Sequence, residues 1–135
     1  MALSAATTRD PRVPGQREFL VAAGETIYQG SMVMIVSGYA KVGADTAGGR
    51  FAGIALKTVD NSAGSDGDKK VVVNMPDSFD CSASGAAQAT WVGVKVYLVD
   101  DDTVALAATT TNDVLVGICE EVTSSTKVRV LPAVA

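Results

Sequence analysis

The sequence of 135 residues contains no histidine, only two cysteines and few aromatic residues, which make up 5% of the chain. Without histidine, the usual catalytic triads, the commonest general base and most zinc sites are excluded. A Ser or Cys nucleophile would need a lysine or a carboxylate as its base. We therefore expect a protein that is not an enzyme and that uses neither a metal nor another cofactor. A hydrolase built on Ser or Asp side chains is the alternative, but the Asp residues fall mainly in predicted turns.

The sequence also lacks any apolar run near the roughly 20 residues that would cross a membrane. The first fifteen residues contain no apolar stretch of the kind found in secretory signals. Cys81 and Cys119 lie in separate strand-like segments. We expect both to be free, buried thiols in a protein that is made in a cytosol, with no membrane partner.

Charge is distributed unevenly along the chain. Residues 1–17 contain Arg9, Arg12 and Arg17 against Asp10 alone, whereas the remainder has 8 basic and 14 acidic side chains. An acidic body argues against nucleic acid as a partner, because phosphate neutralisation requires a basic face.

The basic segment, residues 1–17, is predicted to be an extended N-terminal arm. It shows neither the helical nor the strand period, and Pro11 and Pro14 favour extended backbone at the residues before them. Such a segment buries little surface by itself.

Residues 18–135 are predicted to form a single all-β domain. Val and Thr are abundant, and both pack well on a pleated sheet. Short apolar runs alternate with turns that contain Gly, Asp, Asn and Ser. Gly53 lies inside a predicted strand and indicates a bulge. No segment has the pattern of a long amphipathic helix.

The two parts of this domain resemble each other, over about 24–74 and 88–131. Tyr28 and Gly30 match Trp91 and Gly93 at a spacing of 63 residues. The stretch 51–55 then resembles 115–119, and 70–73 resembles 127–130, so the glycines keep their order as well as the apolar residues. We interpret the pattern as two related β-meanders that share one core in a compact β-barrel or sandwich. The alternative is that Val-rich strands match by chance.

The order of these motifs is similar to that of the capsid decoration, or cement, proteins of tailed phages. The motifs are Gly30-Ser31-Met32-Val33, Gly53-Ile54-Ala55, Val71-Val72-Val73, Gly93-Val94-Lys95-Val96-Tyr97 and Val116-Gly117-Ile118. The resemblance covers roughly residues 20–132. It rests on strand and turn patterns and carries no catalytic residues.

The resemblance implies a structural virion protein on the outer surface of an expanded icosahedral capsid, made in the host cytoplasm. Its partners would be the major capsid protein and further copies of itself, most often in a homotrimer. The arm residues would then bind the shell, with Arg9 and Arg12 gripping carboxylates. The arm candidates are Arg9, Pro11, Arg12, Pro14 and Arg17. The alternative is an idle tail with solvated charges.

Three aromatic residues, Tyr28, Trp91 and Tyr97, are expected to lie in the core or at subunit contacts. If Trp91 and Tyr97 were exposed, they would favour a different function, that of a non-catalytic module displayed on a particle to bind a host or a glycan. The acidic stretches at 60–68 and 100–102 lack the spacing of a calcium loop. We expect them to be solvated turns.

Overall fold

The computed structural model describes Ala5 and residues 15–133, and nearly all of its regular structure is β. The first half, residues 15–76, contains β1 (Gln16–Leu20), β2 (Thr26–Ile27), β3 (Met32–Val36), β4 (Tyr39–Val42), β5 (Arg50–Ala55), β6 (Val59–Asp60) and β7 (Lys70–Asn74). The second half, residues 77–133, contains β8 (Phe79–Ser82), α1 (Gln88–Trp91), β9 (Lys95–Leu98), β10 (Val104–Ala105), β11 (Leu115–Ser124) and β12 (Lys127–Pro132). The predicted all-β class is confirmed.

Each half forms one five-stranded antiparallel sheet, and the two sheets have the same strand order. The first sheet runs β1-β7-β5-β3-β4 and the second runs β8-β12-β11-β9-β10. The strand equivalences are β1 with β8, β3 with β9, β4 with β10, β5 with β11 and β7 with β12. The internal similarity of the sequence therefore corresponds to a duplicated sheet. A two-stranded ribbon of β2 and β6 is added in the first half.

Backbone hydrogen bonds repeat between the halves, and the repeat includes the glycine turn before β3 and β9. Gly30 and Gly93 both have a positive φ, of 88° and 83°. Three hydrogen bonds occur in equivalent pairs. The amide of Ser31 donates to the carbonyl oxygen of Tyr28, as that of Val94 does to Trp91, both at 3.0 Å. The amide of Gly30 donates to Ala55 at 2.9 Å, as that of Gly93 does to Cys119 at 2.7 Å, and the amide of Ala55 donates to Ser31, as that of Cys119 does to Val94, both at 3.0 Å. Chance matching of Val-rich strands would not reproduce this network.

A glycine in the centre of each sheet permits a bulge and a close strand approach. The pairing register of β5 shifts beside Gly53, and that of β11 shifts next to Gly117. A Cβ atom on Gly53 would lie 2.6 Å from the carbonyl oxygen of Asn74 in β7. A Cβ atom on Gly117 would overlap the carbonyl oxygen of Leu131 in β12. The bulge predicted at Gly53 is confirmed and has a counterpart in the second half.

Both sheets curl until their first and last strands approach each other. In the first half, Val21 forms an isolated parallel bridge with Ala40, directly after β1 and inside β4. In the second half, Ser82 at the end of β8 bridges to Thr103, just before β10. Each half is thus a small, strongly curled sheet closed by a single bridge.

The expectation of one shared core is wrong, because the buried residues form two clusters. The smaller cluster fills the first half and includes Val33, Val71 and Val73. The larger cluster fills the second half, and Met32 and Met34 of β3 also belong to it. Since side chains alternate along a strand, β3 directs Val33 into its own half and both methionines toward the other half.

Polar contacts also join the halves. The amide of Met32 donates to the carbonyl oxygen of Asp101 at 2.8 Å. The carboxylate of Asp45 accepts from the amides of Thr111 and Asn112, both at 2.8 Å. These bonds hold the pKa of Asp45 below its ordinary value.

We predict that Gly117→Ala is strongly destabilising, by about 3 kcal/mol or more, because the new methyl group overlaps backbone that cannot move without parting β11 from β12. Gly85→Ala is the control. A Cβ atom on Gly85 meets nothing within 4 Å, although its φ is +69°. The free energy of unfolding of this control should fall by only about 1–2 kcal/mol, because alanine is strained in the left-handed backbone conformation of Gly85. Urea unfolding measures both, and equal losses would contradict the role of Gly117.

We predict that Asp45→Asn lowers the free energy of unfolding at neutral pH and flattens its dependence on acid pH. Because the folded-state pKa of Asp45 is lowered, the unfolded chain takes up this proton first. The carboxylate's contribution is therefore complete above about pH 5 and is lost as the pH falls through 3.8 and below. Thermal unfolding across this range measures the effect, with Asp77→Asn, an exposed carboxylate in the turn before β8, as control.

Candidate binding surface

The predicted arm ends earlier than the sequence indicates. Arg9, Pro11, Arg12 and Pro14 lie outside the described residues. Arg17 does not belong to the arm, because it lies in β1 and pairs with Val73 of β7. β1 is an edge strand, and edge strands often carry exposed charged residues. Its sequence therefore looks like that of the charged segment before it. The folded body therefore includes Gln16 and Arg17, which were predicted to belong to the arm.

The backbone is held in place at Gly15, directly before β1. Gly15 has a φ of 81°, and its carbonyl oxygen accepts a 2.8 Å bond from the amide of Met75. The guanidinium of Arg17 donates to the carbonyl oxygen of Gln16 at 2.7 Å and stays exposed. An exposed cation thus lies at the first strand of an otherwise acidic body.

The three aromatic candidates occupy different environments. Trp91 is 5% exposed and belongs to the larger cluster. Tyr28 is 62% exposed, although its backbone is equivalent to that of Trp91, because Ile27 fills the core of the first half. Tyr97 is half-buried on the outer face of the second sheet, where it lies opposite Leu115. Only Trp91 is a core residue.

The acidic loop at 60–68 is held together by its own carboxylates. Asp66 accepts from the amide of Ala23 at 2.7 Å and Asp68 from the amide of Ser65 at 2.8 Å. Asn61 is 1% exposed and donates through Nδ2 to three carbonyl oxygens, those of Val21, Ala22 and Ser65. These side chains close the loop over the end of β1, a structural role.

The acidic turn at 100–102 is also structural. Asp102 accepts from the hydroxyl of Ser82 at 2.8 Å, and its carbonyl oxygen accepts from the amide of Ser82 at 2.8 Å. Together with the bond from Met32 to Asp101, this turn connects β3, β8 and β10. It is therefore more than the solvated turn predicted from the sequence. Across residues 15–133, no three Cys, Asp or Glu side chains are grouped to hold a metal ion.

Both cysteines are free and buried, as predicted. Burial, followed by the nearby charges of Asp102 and Asp80, raises the pKa of Cys81 to about 12. Burial likewise raises the pKa of Cys119. Because the thiolate is the reactive form, neither thiol has the character of a nucleophile or a redox centre.

One apolar concavity was not predicted from the sequence. It is an open groove with a volume of about 350 Å³, lined mainly by the first half. Its lining residues are Phe19, Ile35, Arg50, Phe51, Ala52 and Met75, with Ala133 of the second half at its border. We call it the first-half groove. Its residues come from β1, β3, β5, the turn after β7 and the residue after β12, so no local sequence pattern marks it.

Comparisons with known proteins do not assign the chain to a family: no family model, no curated protein and no solved structure matches it. In the described part of the chain, no helix is long and apolar enough to cross a bilayer.

We predict that neither cysteine reacts with an aromatic disulfide reagent in the native protein near pH 8. The rate should be at least about a hundredfold below that of a free thiol, because each thiol is neutral and inaccessible. In denaturant, both should react at once. The absorbance of the aromatic thiolate released from the reagent measures the rate of the thiol reaction. Rapid labelling of one or two thiols in the native protein would show that the larger cluster opens readily.

Proposed function

We propose that this chain is a non-catalytic structural protein of a phage virion. It binds the outer surface of an expanded icosahedral capsid through the major capsid protein and stabilises the shell against internal pressure. It acts as a homo-oligomer, and the resemblance implies a trimer.

The observation that carries the proposal is the order of the strand motifs shared with capsid decoration proteins. Those motifs build the duplicated sheet: Gly30 and Gly93 precede β3 and β9, and Gly53 and Gly117 permit the bulges of β5 and β11. The resemblance therefore concerns the residues that determine this fold rather than incidental surface positions.

The distribution of charge supports a role for the arm. The body is acidic and the arm is basic, so the arm can bind acidic groups that the surface of the body would repel. Arg9 and Arg12 can each bind a carboxylate with two parallel hydrogen bonds. A trimer that engages three equivalent sites gains avidity even if each contact is weak.

A second candidate is a recognition module for a host surface or a glycan, displayed on a particle. The exposure of Tyr28 favours it, since an exposed aromatic ring can stack on a sugar. The burial of Trp91 weakens it, because the single tryptophan is then inaccessible to a ligand. A glycan screen with the Tyr28→Ala variant as control would test this alternative.

We predict saturable co-sedimentation of the full chain with expanded, undecorated heads, at a fixed ratio to the major capsid protein. Deleting residues 2–14 preserves Gly15 and β1, and it should leave the body folded while strongly weakening shell binding. Arg9→Ala/Arg12→Ala should weaken binding about tenfold or more, since each loses a charge-assisted contact.

The control is Lys41→Ala/Lys57→Ala, which removes the same positive charge from the body. Its affinity for shells should be unchanged, and circular dichroism checks that all variants fold. Undiminished shell binding by the truncated chain would remove the arm from the mechanism. Failure of the intact chain to bind its cognate heads would refute the cement function itself.

A further inference from the structure

The two equivalent sheets use their outer faces differently. In the first half, the outer face of the sheet packs against the second half. Met32 and Met34 are 1% and 2% exposed as a result, and both belong to the larger cluster. Val36, Phe51 and Ile54 lie on the same face and also pack against that cluster. The ring of Phe51 stacks on Phe79 of β8, with 5.9 Å between centroids.

Among the described residues 15–133, nothing covers the equivalent face of the second sheet in this way. The strand equivalences place Lys95, Tyr97, Val99, Leu115 and Ile118 at the positions of Met32, Met34, Val36, Phe51 and Ile54. Four of these five residues are apolar. Val99 is 36% exposed and Ile118 is 38% exposed. Leu131, which pairs with Ile118 in β12, is 46% exposed. We call this surface the second-half face.

The surface of the second half that contacts the first sheet also has an equivalent surface, which lies in the first half. Cys81, Leu98, Val114 and Val116 belong to the larger cluster, which Met32 and Met34 complete. The same strand equivalences place Phe19, Ile35, Arg50 and Ala52 at their positions in the first half. All four of these residues line the first-half groove. The groove is therefore the counterpart of a surface that is covered inside the chain.

We propose that the second-half face of one copy packs into the first-half groove of a second copy. This contact repeats between chains the packing that joins the two halves within one chain. The occupant of the groove is therefore a second copy of this protein. This inference rests on the homo-oligomer of the proposed function and names the contact that forms it, and it concerns association that occurs without a shell.

The contact is heterologous, since a different surface is used on each partner. Repetition of such a contact closes into a ring if the rotation per step divides a full turn. Every copy then uses both its face and its groove, and neither of these two surfaces is left exposed. Exposed apolar patches on soluble proteins mark interaction sites of this kind.

Charge predicts how this association differs from shell binding. Lys95 lies on the second-half face and Arg50 lines the groove, so the two surfaces do not attract electrostatically. Both side chains are long enough to extend their charged ends to the rim and to cover apolar surface with their stems. Added salt should therefore leave self-association unchanged or strengthen it, whereas it should weaken the ion pairs of the arm.

The first test is the mass of the free protein, measured by light scattering and sedimentation velocity over a range of concentrations. Ile118→Asp should shift the association at least about tenfold toward the monomer, because it places a charge in the centre of an apolar contact. Leu56→Asp is the matched control: Leu56 is 37% exposed but lies outside both surfaces. Its mass should equal that of the unaltered chain.

Each other outcome of this test contradicts the proposal. An unaltered chain that stays monomeric at concentrations that saturate shells would exclude it, and so would an Ile118→Asp chain that associates normally. The chain lacking residues 2–14 should still associate. If it does not, the arm and not the second-half face occupies the groove.

The second test does not depend on a disruptive variant. Within one chain, Phe51 packs on Phe79, and the strand equivalences place Leu115 at the position of Phe51 and Arg17 at that of Phe79. In the proposed contact, Leu115 of one copy therefore lies beside Arg17 of the next. Chains carrying Leu115→Cys and Arg17→Cys, one of them enlarged by a tag, are mixed and treated with a short bismaleimide. The native cysteines are buried and do not compete.

A product that joins one chain of each kind is expected, with neither variant linking to itself. Self-linked Leu115→Cys chains would indicate a two-fold contact, and the absence of any cross-linked product would also refute the proposal. Because no shell is present, failure here leaves capsid binding to its own experiment.

Discussion

The packing of the outer face of one sheet against the core of its neighbour is the interaction on which the rest of this structure depends. Met32 and Met34 leave the first half and complete the larger cluster of the second half. Each sheet alone is small and closes through a single bridge, so it buries limited apolar surface. The contact between the halves therefore joins two marginal units into one stable body.

This packing makes close backbone approach essential. A Cβ atom on Gly43 would lie 2.9 Å from the carbonyl oxygen of Met32 and 3.1 Å from Leu98 of the other half. A Cβ atom on Gly49 would lie 3.0 Å from Met34 and 3.4 Å from Val114 of the other half. Side chains at these positions would crowd the junction between the halves. The bonds from Asp45 to the 111–112 loop and from Met32 to Asp101 then determine the relative orientation of the two sheets. These contacts hold the two halves together as one body, which suits a protein whose proposed function is to bind and to assemble.

Several features were predictable from the sequence because their causes are local. A glycine inside a predicted strand indicates a bulge, and Gly53 forms one. Apolar strands that contain cysteine bury it, as at Cys81 and Cys119. The glycines and valines of the two halves keep the same order, and the duplicated sheet follows that order. Other features were not predictable. Arg17 has the composition of the arm but pairs in β1, and Tyr28 shares the backbone turn of Trp91 but not its burial.

The sequence by itself therefore determined the all-β class, the duplication, the turns and the separation of a basic segment from an acidic body. All of these follow from side-chain period, backbone preference and charge, which are properties of neighbouring residues. The tertiary structure alone decided that there are two clusters instead of one core and that β3 serves both. It also decided that residues 15–133 leave the second-half face and the first-half groove open. Those features arise because the outer face of one sheet packs against the core side of the other, so the contact uses a different surface on each sheet. The outer face of the second sheet and the core side of the first therefore have no partner in this contact. Which half contributes which surface depends on how the halves pack.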